Sequence, residues 1–249
     1  MTGEIVCREI LDLDDSILPA ARAIYETTLD EDERIPWEWL ARTPERRRQW
    51  RPGQRRPHLV VATPKDEPNR AVGFGYGAFL PGYGGYVCYL GVDPALRGRG
   101  AGTLLFRFLF ELIDSAASLS SMPLPFIIWE SHRPADAGLW AAHLRVFEKV
   151  GGLWVRGAEM LTPNYMRDDA PPVRLQLFIR PWAEPAKAFD SDRLRAVVEG
   201  LYDQVYRIDP DDPLRRDTLD GMVNARLVPT VEGLERPARE PGGNHQPGA

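Results

Sequence analysis

Cysteine is scarce in this 249-residue chain: Cys7 and Cys88 are the only two. Two thiols make neither a disulfide framework nor a zinc set, and their scarcity fits a reducing compartment. Lysine is nearly missing as well, with Lys65, Lys149 and Lys187 the only ones, so almost all the positive charge is arginine. Base composition can produce that bias, so arginine counts alone carry no functional argument. No apolar run approaches the roughly 20 residues that span a bilayer. The opening MTGEIVCREILDLDD lacks the basic-then-apolar pattern of a secretory signal. A cytoplasmic protein with no membrane partner is the expectation, and a net charge of -5 removes the electrostatic ground for nucleic acid as the main partner.

What is present is enough apolar material for a core, 43% hydrophobic residues with 10% aromatics. EIVCREIL reads as a strand, after which Asp15 or Ser16 can cap a helix with Leu18, Ala21, Ile24 and Tyr25 on one face. A shorter helix is expected near Pro36. HLVVAT, AVGFGYGAFL and GYVCYLGV follow as three strands separated by turn signals, an antiparallel meander, and the glycine spacing in the second suggests a bulge or a close neighbour. The period then changes to one near 3.6, with Leu104, Leu105, Phe108, Leu109 and Leu112 on a helical face. FIIWE reads as a buried strand. A second helix carries Leu139, Ala142, His143, Val146, Phe147 and Val150, and Gly151 and Gly152 end it. LWVRGAEMLT and VRLQLFI close the unit as a strand pair. Leu194, Val197, Val198, Leu201, Tyr202 and Val205 form a last stripe, expected to dock on the main domain because it cannot build a core alone.

The segment GVDPALRGRGAGTLLF, residues 91 to 106, packs four glycines between a strand and a helix. A glycine-rich turn at a helix start offers unpaired N–H groups and the positive end of the helix dipole, an anion site. The P-loop pattern fails, because no lysine follows the glycines. The dinucleotide fingerprint fails too, since the spacing is G-x-G-x-G and the preceding strand belongs to a meander.

The third option fits. R-G-R-G-A-G, Arg97 to Gly102, matches the [RQ]-x-x-G-x-[GA] signature of the GNAT acetyltransferase superfamily, and YLGVDPALRGRGAGTLLF resembles that family's strand-loop-helix motif. The order of elements from Glu4 to about Pro181 is similar to the family's, and FEKVGG sits where members carry an F-Y-E-K-x-G-F-like run. The resemblance implies an α/β (α+β) fold, a mixed, mostly antiparallel central sheet flanked by helices. Residues 1–182 would form the acetyltransferase domain, 183–228 a docked helical extension, and 229–249 a disordered tail. It implies acetyl-CoA as acyl donor, with no metal. The pyrophosphate would be held by the backbone of Arg97, Gly98, Arg99, Gly100, Ala101, Gly102 and Thr103. The pantetheine arm would lie against Leu90, Gly91 and Val92, where a bulge splays this strand from FIIWE, and the Val92 amide would stabilise an oxyanion.

Two positions depart from the family pattern. Cys88 stands where members often have a catalytic glutamate, and Phe147 where they often have a tyrosine that protonates the thiolate. Cys88 in an apolar strand reads as a core residue, not a nucleophile. Glu130, ending FIIWE, is the candidate base, with the ordering of the SHRP loop or contact with Arg133 as its structural alternative. Tyr165 in TPNYMR is the substitute acid. His132 can relay a proton, while His143 reads as a satisfied core histidine. The acceptor side should come from TTLDEDERIPWEWLARTPERRRQW and the last strand pair: the acidic run at residues 30–33 suits a cationic amine or is a solvated loop, and Trp37, Trp39 and Trp50 suit a ring or anchor helices in the core. The arginine-rich run over residues 42–56 can line the entrance for an acidic acceptor or be a solvated helix face. Two functions stand: transfer of acetyl to a primary amine of a small molecule or peptide, or a degenerate member that binds acyl-CoA as a sensor. An oligomer is possible.

Overall fold

The structure is a computed structural model that describes residues 3–167 and 169–233. Strand β1 (Ile5–Glu9) leads into helix α1 (Leu18–Thr28), a short turn at Glu31–Glu33, and two short helices, α2 (Trp37–Ala41) and α3 (Thr43–Arg48). Asp15, not Ser16, prepares α1, accepting from the Ile17 amide at 3.1 Å. The meander follows as expected: β2 (Arg56–Pro64), β3 (Gly73–Leu80) and β4 (Gly84–Val92), antiparallel in sequence. Helix α4 (Ala101–Leu119), strand β5 (Phe126–Ser131), helix α5 (Ala137–Lys149) and the pair β6 (Leu153–Thr162) and β7 (Val173–Pro181) complete the arrangement that the resemblance implied. All strands, with β8 (Arg226–Pro229), form one mixed sheet of order β1-β2-β3-β4-β5-β7-β6-β8, in which β4 and β5 are the parallel pair.

Beyond β7 the apolar stripe is helix α6 (Ser191–Leu201), continued by a π-helical turn at Tyr202–Tyr206. The chain then forms helix α7 (Pro213–Gly221), which sequence reading passed over although Asp212 and Pro213 are start signals: Asp212 accepts from the Leu214 amide at 2.8 Å. Residues 229–233, expected to open the disordered tail, end β8 and form a short helical turn; the rest of that tail lies outside the described residues.

Both faces of the sheet are covered. Helices α4 and α5 pack on one, through Leu105, Leu109, Ile113, Leu144 and Phe147. The other carries two separate clusters, one under α1 and α2 around Tyr25, Phe74 and Tyr76, one under α6 and α7 around Tyr86, Leu177 and Tyr202. Between them the sheet is bare around Cys88, which touches both clusters.

The glycines of β3 explain how α4 sits. Gly73, Gly75 and Gly77 share one face of the strand, and a Cβ on them would stand 2.8 Å from Leu105 Cδ1, 2.9 Å from Leu109 Cδ1 and 3.6 Å from Ile113 Cδ1. Residues one turn apart on α4 therefore settle onto bare backbone, and the close neighbour expected from the spacing is this helix. Its buried face is centred on Leu105, Phe106, Leu109, Phe110 and Ile113, one position on from the face expected, and Leu104 is exposed. We expect Gly75→Val, crowding Leu109 and Val60, to lower stability by about 1–3 kcal/mol, read from the urea midpoint.

Candidate active site

Strands β4 and β5 pair in parallel at Gly85↔Ile127, Tyr86↔Ile128 and Val87↔Trp129, and then part. On the other side of β4 the register jumps, from Gly77↔Val87 to Tyr76↔Tyr89, so that Cys88 is the extra, bulged residue. The bulge expected at residues 90–92 therefore lies at Cys88, where the fork begins. Past it, Asp93 donates to the Val72 carbonyl at 3.0 Å. Antiparallel pairs alternate between bonded and unbonded, which turns the Leu90 and Val92 amides away from β3 and into the fork.

The glycine-rich turn sits at one end of this opening. Asp93 accepts from the Ala95 amide at 2.9 Å and starts a short helical turn at Pro94–Leu96. Gly98 (φ 79) and Gly100 (φ 86) are left-handed, and none of the described residues lies within 4 Å of where their Cβ atoms would be. Gly100 is the N-cap of α4 and has no side chain to offer the first turn; the first bond in the helix runs from Leu104 N to Gly100 O at 3.0 Å. The amides of Ala101, Gly102 and Thr103 find no acceptor among the described residues, which is the condition for holding an anion. A cavity of about 400 Å³ runs from this turn along Leu90, Gly91 and Val92 to α5. Arg97, Gly98, Gly100, Ala101, Gly102 and Thr103 line it; Arg99 is exposed and does not. The α5 stripe expected to be core divides here: Phe147 and Val150 are buried, Trp140 and Leu144 join them, while Leu139, Ala142, His143 and Val146 face the cavity. His143 is not a satisfied core residue: its buried Nδ1 has no partner among the described residues, and burial lowers its pKa.

A second cavity of about 860 Å³ occupies the bare stretch on the opposite face, with Tyr76, Tyr86, Cys88 and Glu130 among its lining residues. The two cavities share Leu29, Glu33 and Leu90. Glu130 Oε2 accepts from the Tyr86 hydroxyl at 2.8 Å and the Tyr206 hydroxyl at 2.7 Å, while Oε1 is buried without a partner among the described residues. Burial raises its pKa to about 7 against the pull of the two phenols. The alternatives of ordering the SHRP loop or meeting Arg133 are not what is seen. Tyr165 also lines this cavity, its phenol pushed up to about 12 by burial and by the neighbouring Cys88 and Glu130. Cys88 is pushed up to about 12, chiefly by burial, a protonated and unreactive thiol.

Sequence reading missed three contributors. Tyr86 and Tyr206 come from β4 and the π-helical turn, elements that meet only in the fold. Glu33 lies in the acidic run that composition reads as solvated, yet burial, with Asp30 and Asp32 alongside, raises its pKa to about 7. Its Oε1 stands 3.1 Å from His132 Nδ1, and Asp30 is close enough that the three ligand atoms lie within 4.8 Å of one another. Of the tryptophans, Trp39 lines the larger cavity, Trp37 is core, and Trp50 stacks under Arg56 at 4.3 Å.

Comparisons with known proteins agree with this geometry. Among solved structures, a Bacteroides thetaiotaomicron protein described as an acetyltransferase from the GNAT family superposes with a TM-score of 0.56 at 17% identity, covering 82% of this chain and 99% of its own. The NatC complex bound to Gag peptide and CoA gives 0.50 at 16% identity, covering 72% and 99%. A search of curated protein sequences returned no match. Residues 21–121 match the acetyltransferase (GNAT) family, and the fold around them is similar to that of a GNAT-family acetyltransferase.

Proposed function

We propose that this protein transfers acetyl from acetyl-CoA to a primary amine held in the larger cavity, with Glu130 as the base. The observation that carries this is the meeting of two cavities at one strand fork, one ending on an uncapped, glycine-lined helix start and the other on a carboxylate whose pKa lies near neutrality. The residues present fit the donor: free amides at Ala101, Gly102 and Thr103, and open space over Gly98 and Gly100, suit a pyrophosphate, and Arg97 and Lys149 add positive charge to the same cavity. When bound, acetyl-CoA supplies an activated acyl thioester. The Leu90 and Val92 amides face the fork, where they can donate to a carbonyl oxygen.

Glu130 holds and moves the proton. An alkylamine with a pKa near 10 is almost fully protonated at neutral pH, so a neighbouring group must accept its proton before it can attack. A carboxylate at about 7 is partly ionised under the same conditions and can accept that proton, a transfer uphill by about 4 kcal/mol that the acyl transfer then draws forward. Tyr86 and Tyr206 keep it from rising further and fix its orientation. Cys88 and Glu130 follow the last paired residues, Val87 and Trp129, so they flank the fork at the same level. The carboxylate missing from position 88 is thus supplied from the neighbouring strand, which removes one motive for reading the protein as a sensor. Tyr165, on the same cavity as Glu130, is the proposed proton donor to the departing thiolate.

Gly100→Glu should raise the acetyl-CoA dissociation constant about 100-fold or more by calorimetry, since a carboxylate would stand against the anion site, while circular dichroism shows an unchanged fold. Unchanged affinity would refute this placement of the donor. Glu130→Gln should lower the rate about 100-fold at neutral pH and remove the rise in rate through about pH 7. The sign for stability is opposite: because the folded carboxyl holds its proton more tightly than the unfolded one, the wild type loses stability between about pH 4.5 and 7, and the Gln variant does not. Its melting temperature relative to wild type should therefore climb across that window. Tyr206→Phe removes a hydrogen bond that lowers the Glu130 pKa, so the midpoint of the pH–rate profile should move to higher pH; a lower rate with an unmoved midpoint would make Tyr206 merely structural.

A further inference from the structure

We propose that the acceptor carries an oxyanion group besides its amine, an amino-acid-like zwitterion whose amine lies toward Glu130 and whose carboxylate or phosphoryl group is held by Arg46 and Arg55. This rests on reading the larger cavity as the acceptor site.

The arginine-rich run divides sharply by where its members stand. Arg42 pairs with Glu45, Arg47 with Glu9 and Arg48 with Asp12, all away from the cavity. Arg46 and Arg55 line the cavity, and neither pairs with a carboxylate among the described residues. They converge on one spot: both guanidinium charges act on the Tyr76 phenol, drawing its pKa down against the larger effect of burial. Tyr76 lies on the cavity lining beside Cys88 and Glu130. Arg47 pins α3 through buried Glu9, whose other oxygen stands 2.7 Å from His58 Nδ1, so the helix that carries Arg46 is fixed to the sheet. Stacking of Arg56 on Trp50 steadies the segment beside Arg55. Arg207, following Tyr206 in a left-handed conformation (φ 54), adds a third cation that no carboxylate meets among the described residues.

The balance of charge decides the class. Of the acidic groups on this cavity, Asp32 is paired with Arg167 at 2.8 Å, and Glu33 and Glu130 both titrate near neutrality, leaving together about one negative charge at pH 7. Arg46, Arg55 and Arg207 contribute three positive charges. A polyamine would therefore meet a net cationic wall, against the reading of the acidic run as a cation attractor. An oxyanion offers each guanidinium fork the partner it lacks. The Asp32–Arg167 pair also ties the turn at Glu31–Glu33 to the β6–β7 connection, two walls of the same cavity, which favours a small molecule over an extended peptide lying between them.

The test is calorimetry on the full chain saturated with CoA, using matched probes: L-phenylalanine against phenethylamine, L-methionine against methioninamide, O-phosphoethanolamine against ethanolamine, and spermidine. We expect the anionic member of at least one pair to bind about tenfold tighter than its partner, the pair that responds telling carboxylate from phosphoryl. The double variant Arg46→Gln/Arg55→Gln, at exposed positions, should erase that preference and leave CoA affinity unchanged. Equal or tighter binding of the partners that lack the oxyanion, tightest binding of spermidine, binding of no probe, or a preference that survives the double variant would overturn the proposal. Thiol release with the same probes separates it from the transfer reading: an anion preference without release keeps the arginine site and sinks the transfer, and release without the preference does the reverse.

Discussion

Everything functional in this molecule depends on two strands that cease to pair. A parallel ladder would continue past Val87 and Trp129 if β4 stayed regular, and its amides would then be spent on β5. The bulge at Cys88 prevents that, because an extra residue on one strand raises the local twist and breaks the register. On one side of the gap β4 remains bonded to β3 as far as Asp93 and Val72; on the other β5 remains bonded to β7 through Ser131 and Gln176. Both strands are thereby anchored along their outer edges. The opening is thus a fixed feature of the sheet, and the two cavities are its two mouths.

The position of α4 is the second constraint, and it follows from the glycines of strand β3. Bare backbone at Gly73, Gly75 and Gly77 lets Leu105 and Leu109 approach closely, which brings the amino end of the helix down to the level of the fork. Gly91 works in the same way on the other face: a Cβ there would stand 2.3 Å from Thr28 Oγ1, so α1 also closes against the motif strand. Substituted β3 glycines would lift the helix, and with it the glycine-rich turn, away from the gap.

How much of this was legible in the sequence follows from the range over which each signal acts. Periodicity and turn chemistry are local, so the meander, α5 and the strand pair could be read from the residues, and the glycine-rich turn stood out because its pattern is contiguous. The misplaced bulge is a pairing property, which no single strand encodes. The core face of α4 was displaced because Phe106, Phe110 and Ile113 were set aside for Leu104, Phe108 and Leu112, which are equally apolar and differ only in what lies opposite. Glu33 was indistinguishable from its acidic neighbours until the fold buried it. Tyr206 offered no signal at all, since it stands 76 residues from the carboxylate it meets.

The residues proposed to handle protons stand apart along the chain. The family match ends at residue 121, after the glycine-rich turn and the whole of α4, whereas Glu130, Tyr165 and Tyr206 all lie beyond it. The C-terminal segment is more than a cover for apolar surface: α6 packs Leu194, Val198 and Leu201 on the sheet, and the π-helical turn that follows directs Tyr206 onto Glu130. A π-helical turn inserts one extra residue per turn and so re-aims what comes after it. Here that local widening ends in left-handed Arg207, on the rim of the same cavity. A carboxylate buried beneath this segment is costly unless its proton and its bonds are managed, and the two phenols do so from opposite ends of the chain. Docking of the extension and the ionisation of Glu130 are therefore linked: whatever loosens α6 from the sheet changes the proton affinity of the proposed base.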